Sequence, residues 1–241
     1  MGLHKKGVSI IIPVYNEEKI ITENVNKAVF FLDGLEIPYK LFICDNGSTD
    51  STRDKGEKIE KKFPDKIKFF SFKKRGVGLC FKKSLENSPY NFLITLDMDF
   101  SIDFKFVKKA LVFLGNYDMV IASKKSGNEK RFFVRKVLSK IYIFLTSILF
   151  NLTYKDFSPS GKAYRKKSVL KATEINKLDD GSFYTTQILF FMKKNKMKIK
   201  EIPVDCIDYR VSKFNVYFEI IYRLKCLLDM FFKFRIFKYN Q

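Results

Sequence analysis

Apolar positions along this chain alternate between two periods. Val8 to Val14 is an apolar run, interrupted at Ser9, of the kind that makes a strand buried on both faces, and Ile21, Val25, Ala28, Val29 and Leu32 then recur at helical spacing. Tyr39 to Cys44 repeats the strand pattern and closes on Asp45. Asn46-Gly47-Ser48-Thr49-Asp50 follows as turn chemistry with N-cap residues, predicting a helix over 51–63. Ile67 to Phe72 is a third run, and the glycine-punctuated loop Arg75-Gly76-Val77-Gly78 opens a helix to about Asn87. Phe92 to Leu96 is the fourth run. A helical pattern at Phe106, Val107, Ala110, Leu111 and Leu114 leads to the fifth, Met119 to Ala122. Strand and helix alternating in this way predict an α/β fold, a mostly parallel sheet covered on both faces.

After residue 123 the alternation fades. A basic, aromatic, helical stretch over 131–152 is followed by a polar segment from Asp156 to Arg165, a helix near 181–194, a strand-like run from Lys198 to Val204 and a C-terminal helix. No stretch reaches the roughly 18–20 uncharged apolar residues of a spanning helix. The short run after MGLHKKG contains Pro13 and no small-residue cleavage pattern, so no signal peptide is expected. The expected division is a main α/β domain over 1–213, including the 131–152 helix, and an amphipathic C-terminal helix over 214–241.

In open parallel sheets ligands bind beyond the carboxyl ends of the strands, and Asp45 and Asp97 stand at two such ends. Asp99 lies two residues past Asp97, so in extended backbone both side chains point the same way. These carboxylates either cap helices and close turns or form a divalent-cation site completed by substrate phosphates. The net charge of +20 calls for an anionic partner: nucleic acid, an acidic membrane surface or phosphorylated small molecules. One histidine, His4, leaves no internal imidazole for a triad, and four scattered cysteines without a CxxC pair argue for reduced thiols rather than zinc.

The motifs themselves resemble a known family. Val8-Ser9-Ile10-Ile11-Ile12-Pro13-Val14-Tyr15-Asn16-Glu17-Glu18 is similar to the opening of family-2 glycosyltransferases, and Cys44-Asp45-Asn46-Gly47-Ser48-Thr49-Asp50-Ser51-Thr52 to the family's second motif. Arg75-Gly76-Val77-Gly78 and Asp97-Met98-Asp99 follow in the same order. In the second half, Asp156 with Ser160-Gly161-Lys162-Ala163-Tyr164-Arg165, Arg135 with Ser139, and Arg210-Val211-Ser212-Lys213 resemble the dolichyl-phosphate mannosyltransferase group.

That resemblance implies a GT-A (Rossmann-like, nucleotide-sugar-binding) fold with C-terminal amphipathic interfacial helices. It implies a nucleotide-sugar donor, Mg²⁺ or Mn²⁺, and a polyisoprenyl-phosphate acceptor, with a separate membrane subunit as an open partner. Pro13, Tyr15, Glu17, Asp45 and Asp97 would surround the donor nucleotide, and Asp97 and Asp99 would hold the metal. Lys124, Arg135, Ser139, Arg210 and Lys213 would hold phosphates, with Asp97, Asp99, Arg135 and Lys213 as the catalytic set. The chain departs from the pattern at Asn46, Lys124 in place of an arginine, Lys162 in place of an aromatic, the shortened 210–213 loop, and Gln187 where relatives carry an acid.

A phosphate monoester, with a second pKa near 6, is already ionised at neutral pH and needs no general base, whereas a sugar hydroxyl does. Gln187 and the lack of histidine therefore favour a phosphate acceptor, with Asp156, Asp179 and Asp180 as the candidate bases for a hydroxyl one. The helix over 137–152 and the apolar positions Ile220, Leu224, Leu227, Leu228, Phe231 and Phe234 fit either core packing or docking on an anionic membrane surface. The expected location is the cytoplasmic membrane face, peripheral. A nucleic-acid role is disfavoured, because no helix-turn-helix, RNP or zinc-finger pattern appears. A degenerate relative serving only as a scaffold would lack metal-dependent donor hydrolysis.

Overall fold

The computed structural model describes the backbone of residues 7–124, 129–130, 133–207 and 216–236, with side chains at 7–124, 137–206 and 218–234. The first half follows the periodic pattern closely: β1 (Val8–Val14), α1 (Ile21–Asp33), β2 (Tyr39–Asn46), α2 (Thr52–Lys62), β3 (Ile67–Phe72), α3 (Val77–Asn87), β4 (Phe92–Thr95), α4 (Lys105–Phe113) and β5 (Met119–Ser123). Then come β6 (Glu129–Lys130), α5 (Phe133–Phe150), β7 (Lys162–Arg165), α6 (Lys166–Ala172), a 3-10 turn (Ile175–Lys177), α7 (Tyr184–Lys194), β8 (Ile199–Pro203), β9 (Cys206–Ile207), and α8 (Val216–Phe231) ending in a π-helical turn (Phe232–Ile236).

Seven strands form one sheet in the order β3-β2-β1-β4-β7-β5-β8, and β6 pairs separately with β9. All neighbours in the large sheet run parallel except β7, which is antiparallel to both β4 and β5. The segment from Asp156 to Arg165, read from its sequence only as polar, thus supplies a central strand at Lys162–Arg165. It reads as polar because Lys162 lies in it, yet Lys162 is fully buried, with Ala163 and Tyr164 packed on opposite faces of the sheet. A lysine with an internal carboxylate partner behaves as a core residue, and hydropathy cannot anticipate the partner.

One core lies under α1 and α4, and the other under α3, α5, α7 and α8. The register aligns Val14 with Asp45 and Ile11 with Thr95, so the chain leaves β1, β2 and β4 at the same edge of the sheet. The C-terminal helix joins the second core through Leu227 and Met230. Its Phe218, Ile221, Leu228 and Phe232 face outward at helical spacing, while Glu219 and Arg223 turn inward. Val137, Ile141, Phe144 and Ile148 make a matching exposed stripe on α5, which packs beside α8.

Candidate active site

The loops after β1 and β2 form one wall. Asn16 adopts the left-handed conformation (φ 53°) that asparagine tolerates. Its N–H donates to Ser48 Oγ at 2.9 Å, and its Oδ1 accepts the Thr49 N–H at 2.8 Å. The Glu17 N–H donates to Thr52 Oγ1 at 2.7 Å, and the Glu18 carboxylate accepts the Ser51 N–H at 3.1 Å. Asp45 is buried, its two oxygens accepting the Ser48 N–H at 3.0 Å and the Ser71 hydroxyl at 2.9 Å. Its neighbour Asn46 accepts the Gly76 N–H, tying this wall to the start of α3. Arg75 stacks over Tyr15, with its guanidinium carbon 3.6 Å from the ring centroid. Sequence reasoning assigned Arg75 no role, although its motif lies next to the wall it completes.

A cavity of about 890 Å³ opens in front of this wall. Among the expected site residues Pro13, Asp97 and Ser139 line it, joined by Asn46, Arg75 and Gly76 and by apolar groups from α5 and α8. Tyr15, Glu17 and Asp45 belong to the adjoining wall. Arg210 and Lys213 lie outside the described residues, as does the side chain of Arg135.

Asp97 and Asp99 are joined by a turn at residues 98–99 rather than by a continuing strand. The chain turns directly after Asp97, whose carbonyl accepts the Phe100 N–H at 3.1 Å, and Phe100 takes a positive φ of 49°. The same-side expectation assumed a strand continuing through Asp99, and the turn removes that basis. The Asp99 carboxylate accepts the Ser101 N–H at 3.2 Å. No group of three or more His, Cys, Asp or Glu side chains gathers among the described residues. Carboxylates on one turn at a strand end are a donor set for a hard cation that takes its other ligands from phosphates and water, and do not suit a closed tetrahedral zinc site.

Beneath the cavity lies a charge cluster. Lys162 Nζ donates to Asp156 Oδ1 at 3.0 Å and to the Ser160 carbonyl at 3.1 Å, and Asp156 also accepts the Ser158 N–H at 2.8 Å. Burial alone would raise the Asp156 pKa. The charges of Lys162 and then Lys124, with the hydrogen bonds from Ser158, instead hold the carboxyl well below the usual range. For Lys162 burial prevails and lowers its pKa, since it has Asp156 as its main partner while Lys124 repels it. The Ser160 hydroxyl is buried without a protein partner, and Ser160 lines the cavity.

The far wall is the segment 178–182. The Asp179 N–H donates to Gln187 Oε1 at 2.7 Å, so Gln187 holds backbone in place. The Asp180 carbonyl accepts the N–H groups of Gly78 and Leu79 at 2.8 and 3.1 Å, capping the first turn of α3. A Cβ on Gly78 would fall within 3.0 Å of this backbone. Gly78→Ala is therefore expected to cost about 1–3 kcal/mol through overpacking, read as a lowered urea midpoint. An unchanged midpoint would contradict the close approach.

Residues 9–172 match the model of glycosyl transferase family 2. The chain is 26% identical over 201 residues to dolichol-phosphate mannosyltransferase of Pyrococcus furiosus, covering 81% of this chain and 55% of that protein. To dolichyl-phosphate beta-glucosyltransferase of Dictyostelium discoideum it is 23% identical over 244 residues, covering 94% of this chain and 74% of the relative. It thus spans about half the length of the Pyrococcus protein. Glucosyl-3-phosphoglycerate synthase of Mycobacterium tuberculosis, solved with Mn²⁺, UDP and glucosyl-3-phosphoglycerate, superposes with a TM-score of 0.70 at 15% identity, covering 94% of this chain and 80% of that one. That likeness shows the fold to be the GT-A α/β architecture.

Proposed function

The chain belongs to glycosyl transferase family 2, and on that premise we propose that it transfers a hexose, with inversion, from a nucleotide sugar to a polyisoprenyl phosphate at a membrane surface. The observation that carries this reading is the composition of the cavity. A single space runs from Asp97, Asn46 and Arg75 at the strand ends to Leu138, Ile141, Phe218, Ile220 and Leu224 on α5 and α8. A ligand with an anionic head and an apolar chain matches both ends, and a glycan does not.

The candidate bases support a phosphate nucleophile. Asp156 is held far below the range in which a carboxylate takes a proton at neutral pH. Asp179 accepts hydrogen bonds from Tyr222 and from the Phe183 N–H, and Asp180 is ion-paired with Lys82. An ionised acceptor phosphate needs none of them. In this reading Asp97 and Asp99 would hold a Mg²⁺ or Mn²⁺ ion, which would supply charge stabilisation for the departing nucleoside diphosphate. Pro13, Tyr15, Glu17 and Asp45, with Arg75, position the nucleotide, while Lys124 and Ser139 face phosphate, joined by Arg135, Arg210 and Lys213.

No helix among the described residues is long and apolar enough to cross a membrane. The exposed stripes of α5 and α8, with Phe144 64% and Phe218 73% exposed, suit peripheral docking on anionic lipid at the cytoplasmic face. The catalytic unit would then be 1–213, with 214–241 as a membrane-associating helix, and mannose from GDP-mannose or glucose from UDP-glucose the transferred sugar. The test offers each donor with a polyprenyl phosphate, and separately with the matching unphosphorylated polyprenol, in the presence of Mg²⁺ or Mn²⁺. Lipid-linked sugar is expected from the phosphate alone. Transfer to the alcohol or to a soluble glycan at equal rate would overturn the reading.

A further inference from the structure

The segment Leu178–Ser182 is clamped from two sides. Toward the nucleotide wall, besides the Asp180 carbonyl on the first turn of α3, Lys82 donates to the Leu178 carbonyl at 3.1 Å and ion-pairs with the Asp180 carboxylate. Toward the C-terminal helix, the Tyr222 hydroxyl donates to the Asp179 carboxylate, and the Tyr222 ring lies where a Cβ on Gly181 would stand. Ser182 bonds to Glu219, and Arg223 Nε donates to Ser182 Oγ at 3.0 Å and Glu219 Oε1 at 2.7 Å. The Arg223 guanidinium also sits 5.5 Å from the Tyr142 ring on α5. Burial and the Asp179 carboxylate raise the Tyr222 pKa, which keeps its hydroxyl a donor.

The consequence is a continuous set of contacts: α8 to 178–182, 178–182 to the start of α3, and the start of α3 to Asn46 and Tyr15 through Gly76 and Arg75. The orientation of α8 decides what this linkage can sense. Glu219, Tyr222 and Arg223 point into the protein, while Phe218, Ile221 and Leu228 are left in water on the side that also carries Lys225, Asp229 and Lys233. A lipid surface stabilises only the arrangement in which α8 is seated with that stripe outward, and this is the arrangement that makes the bonds to 178–182.

We propose that Tyr222 and Arg223 are positioning residues that couple the seating of α8 on lipid to the geometry of the nucleotide-binding loops. Membrane docking and nucleotide binding then strengthen each other. This rests on the membrane-surface reading above, and the two can fail separately.

The experiment measures affinity for UDP and for GDP, each with Mn²⁺, by calorimetry on the full chain, with and without phosphatidylcholine–phosphatidylglycerol vesicles, and vesicle sedimentation with and without nucleotide. Vesicles are expected to tighten binding of the accepted nucleotide by roughly fivefold or more, and linkage requires the nucleotide to strengthen vesicle binding by the same factor. In Tyr222→Phe and Arg223→Gln that factor is expected to fall toward one while the chain still sediments with vesicles. A merely structural role would weaken nucleotide binding equally with and without lipid and leave the factor unchanged, which overturns the coupling. Vesicle binding without any effect on nucleotide affinity overturns the coupling and leaves membrane docking standing. A wild-type chain that ignores vesicles overturns both, and one that binds neither nucleotide overturns the proposed function with them. If Tyr222→Phe fails to fold by circular dichroism, Arg223→Gln and Ser182→Ala carry the same test.

Discussion

Asp97→Asn is expected to reduce sugar transfer by about a hundredfold to a thousandfold, the usual loss when one preorganised charge-stabilising group is removed from the reacting centre. The exchange keeps the side chain's shape and removes its charge. Because Asp97 lies in the cavity at the carboxyl end of β4, the effect should fall on kcat and on Mn²⁺ affinity measured by paramagnetic resonance, with the unfolding midpoint unmoved. Asp99→Asn tests the second carboxylate of the turn in the same way, and it should also weaken the ion. Full activity in both variants would remove the metal site from the proposed mechanism. Loss of activity with intact Mn²⁺ affinity would instead assign the carboxylates to the sugar or the nucleotide.

The second large effect is on stability. Lys162→Met is expected to destabilise the chain by about 3–5 kcal/mol, because it leaves Asp156 buried without its nearest cation. Lys124 also acts on this carboxylate and moderates the loss. Pairing the change with Asp156→Leu should recover most of it, since replacing both members of a buried pair by apolar groups is often close to neutral. Acid sensitivity follows with a definite sign. The native pKa of Asp156 is depressed, so its stabilisation is whole above the unfolded value of about 3.9 and drains away as pH falls toward the native value. The double variant should therefore lose less stability on acidification than the wild type. Urea midpoints across an acid series measure this, and identical slopes for the two proteins would show that the pair contributes nothing.

Lys162 also marks where sequence reading stopped. Runs such as Val8 to Val14 and Tyr39 to Cys44 are legible because a strand covered on both faces is apolar at nearly every position, whatever its neighbours, with Ser9 and Lys40 the exceptions. β7 breaks that rule at Lys162 and Arg165, and for the fully buried Lys162 it is the arrival of Asp156 that makes the violation tolerable. The turn at Asp97 failed for a related reason. Alternation along a strand is a local rule; β4 ends at Thr95, and the turn from Asp97 to Phe100, with its positive φ at Phe100, is something no apolar pattern records. In the sequence Gln187 reads as a missing base. Its actual contact, the backbone of Asp179, is visible only once α7 is set against the segment preceding it.

By itself the sequence determined the alternating α/β core, the placing of Asp45 and Asp97 at strand ends, and the likeness to family-2 glycosyltransferases, because each depends on residue type over short spans. It also marked α8 as amphipathic. The tertiary structure alone decided which face of α8 turns outward. A helical pattern specifies faces without saying which meets the protein: here Leu227 and Met230 enter the core and Lys225, Asp229 and Lys233 stay exposed, yet Glu219 and Arg223 turn inward because they find Ser182, and Tyr222 because it finds Asp179, on a segment about forty residues earlier in the chain. Contacts at that separation are made by folding, and no local period encodes them.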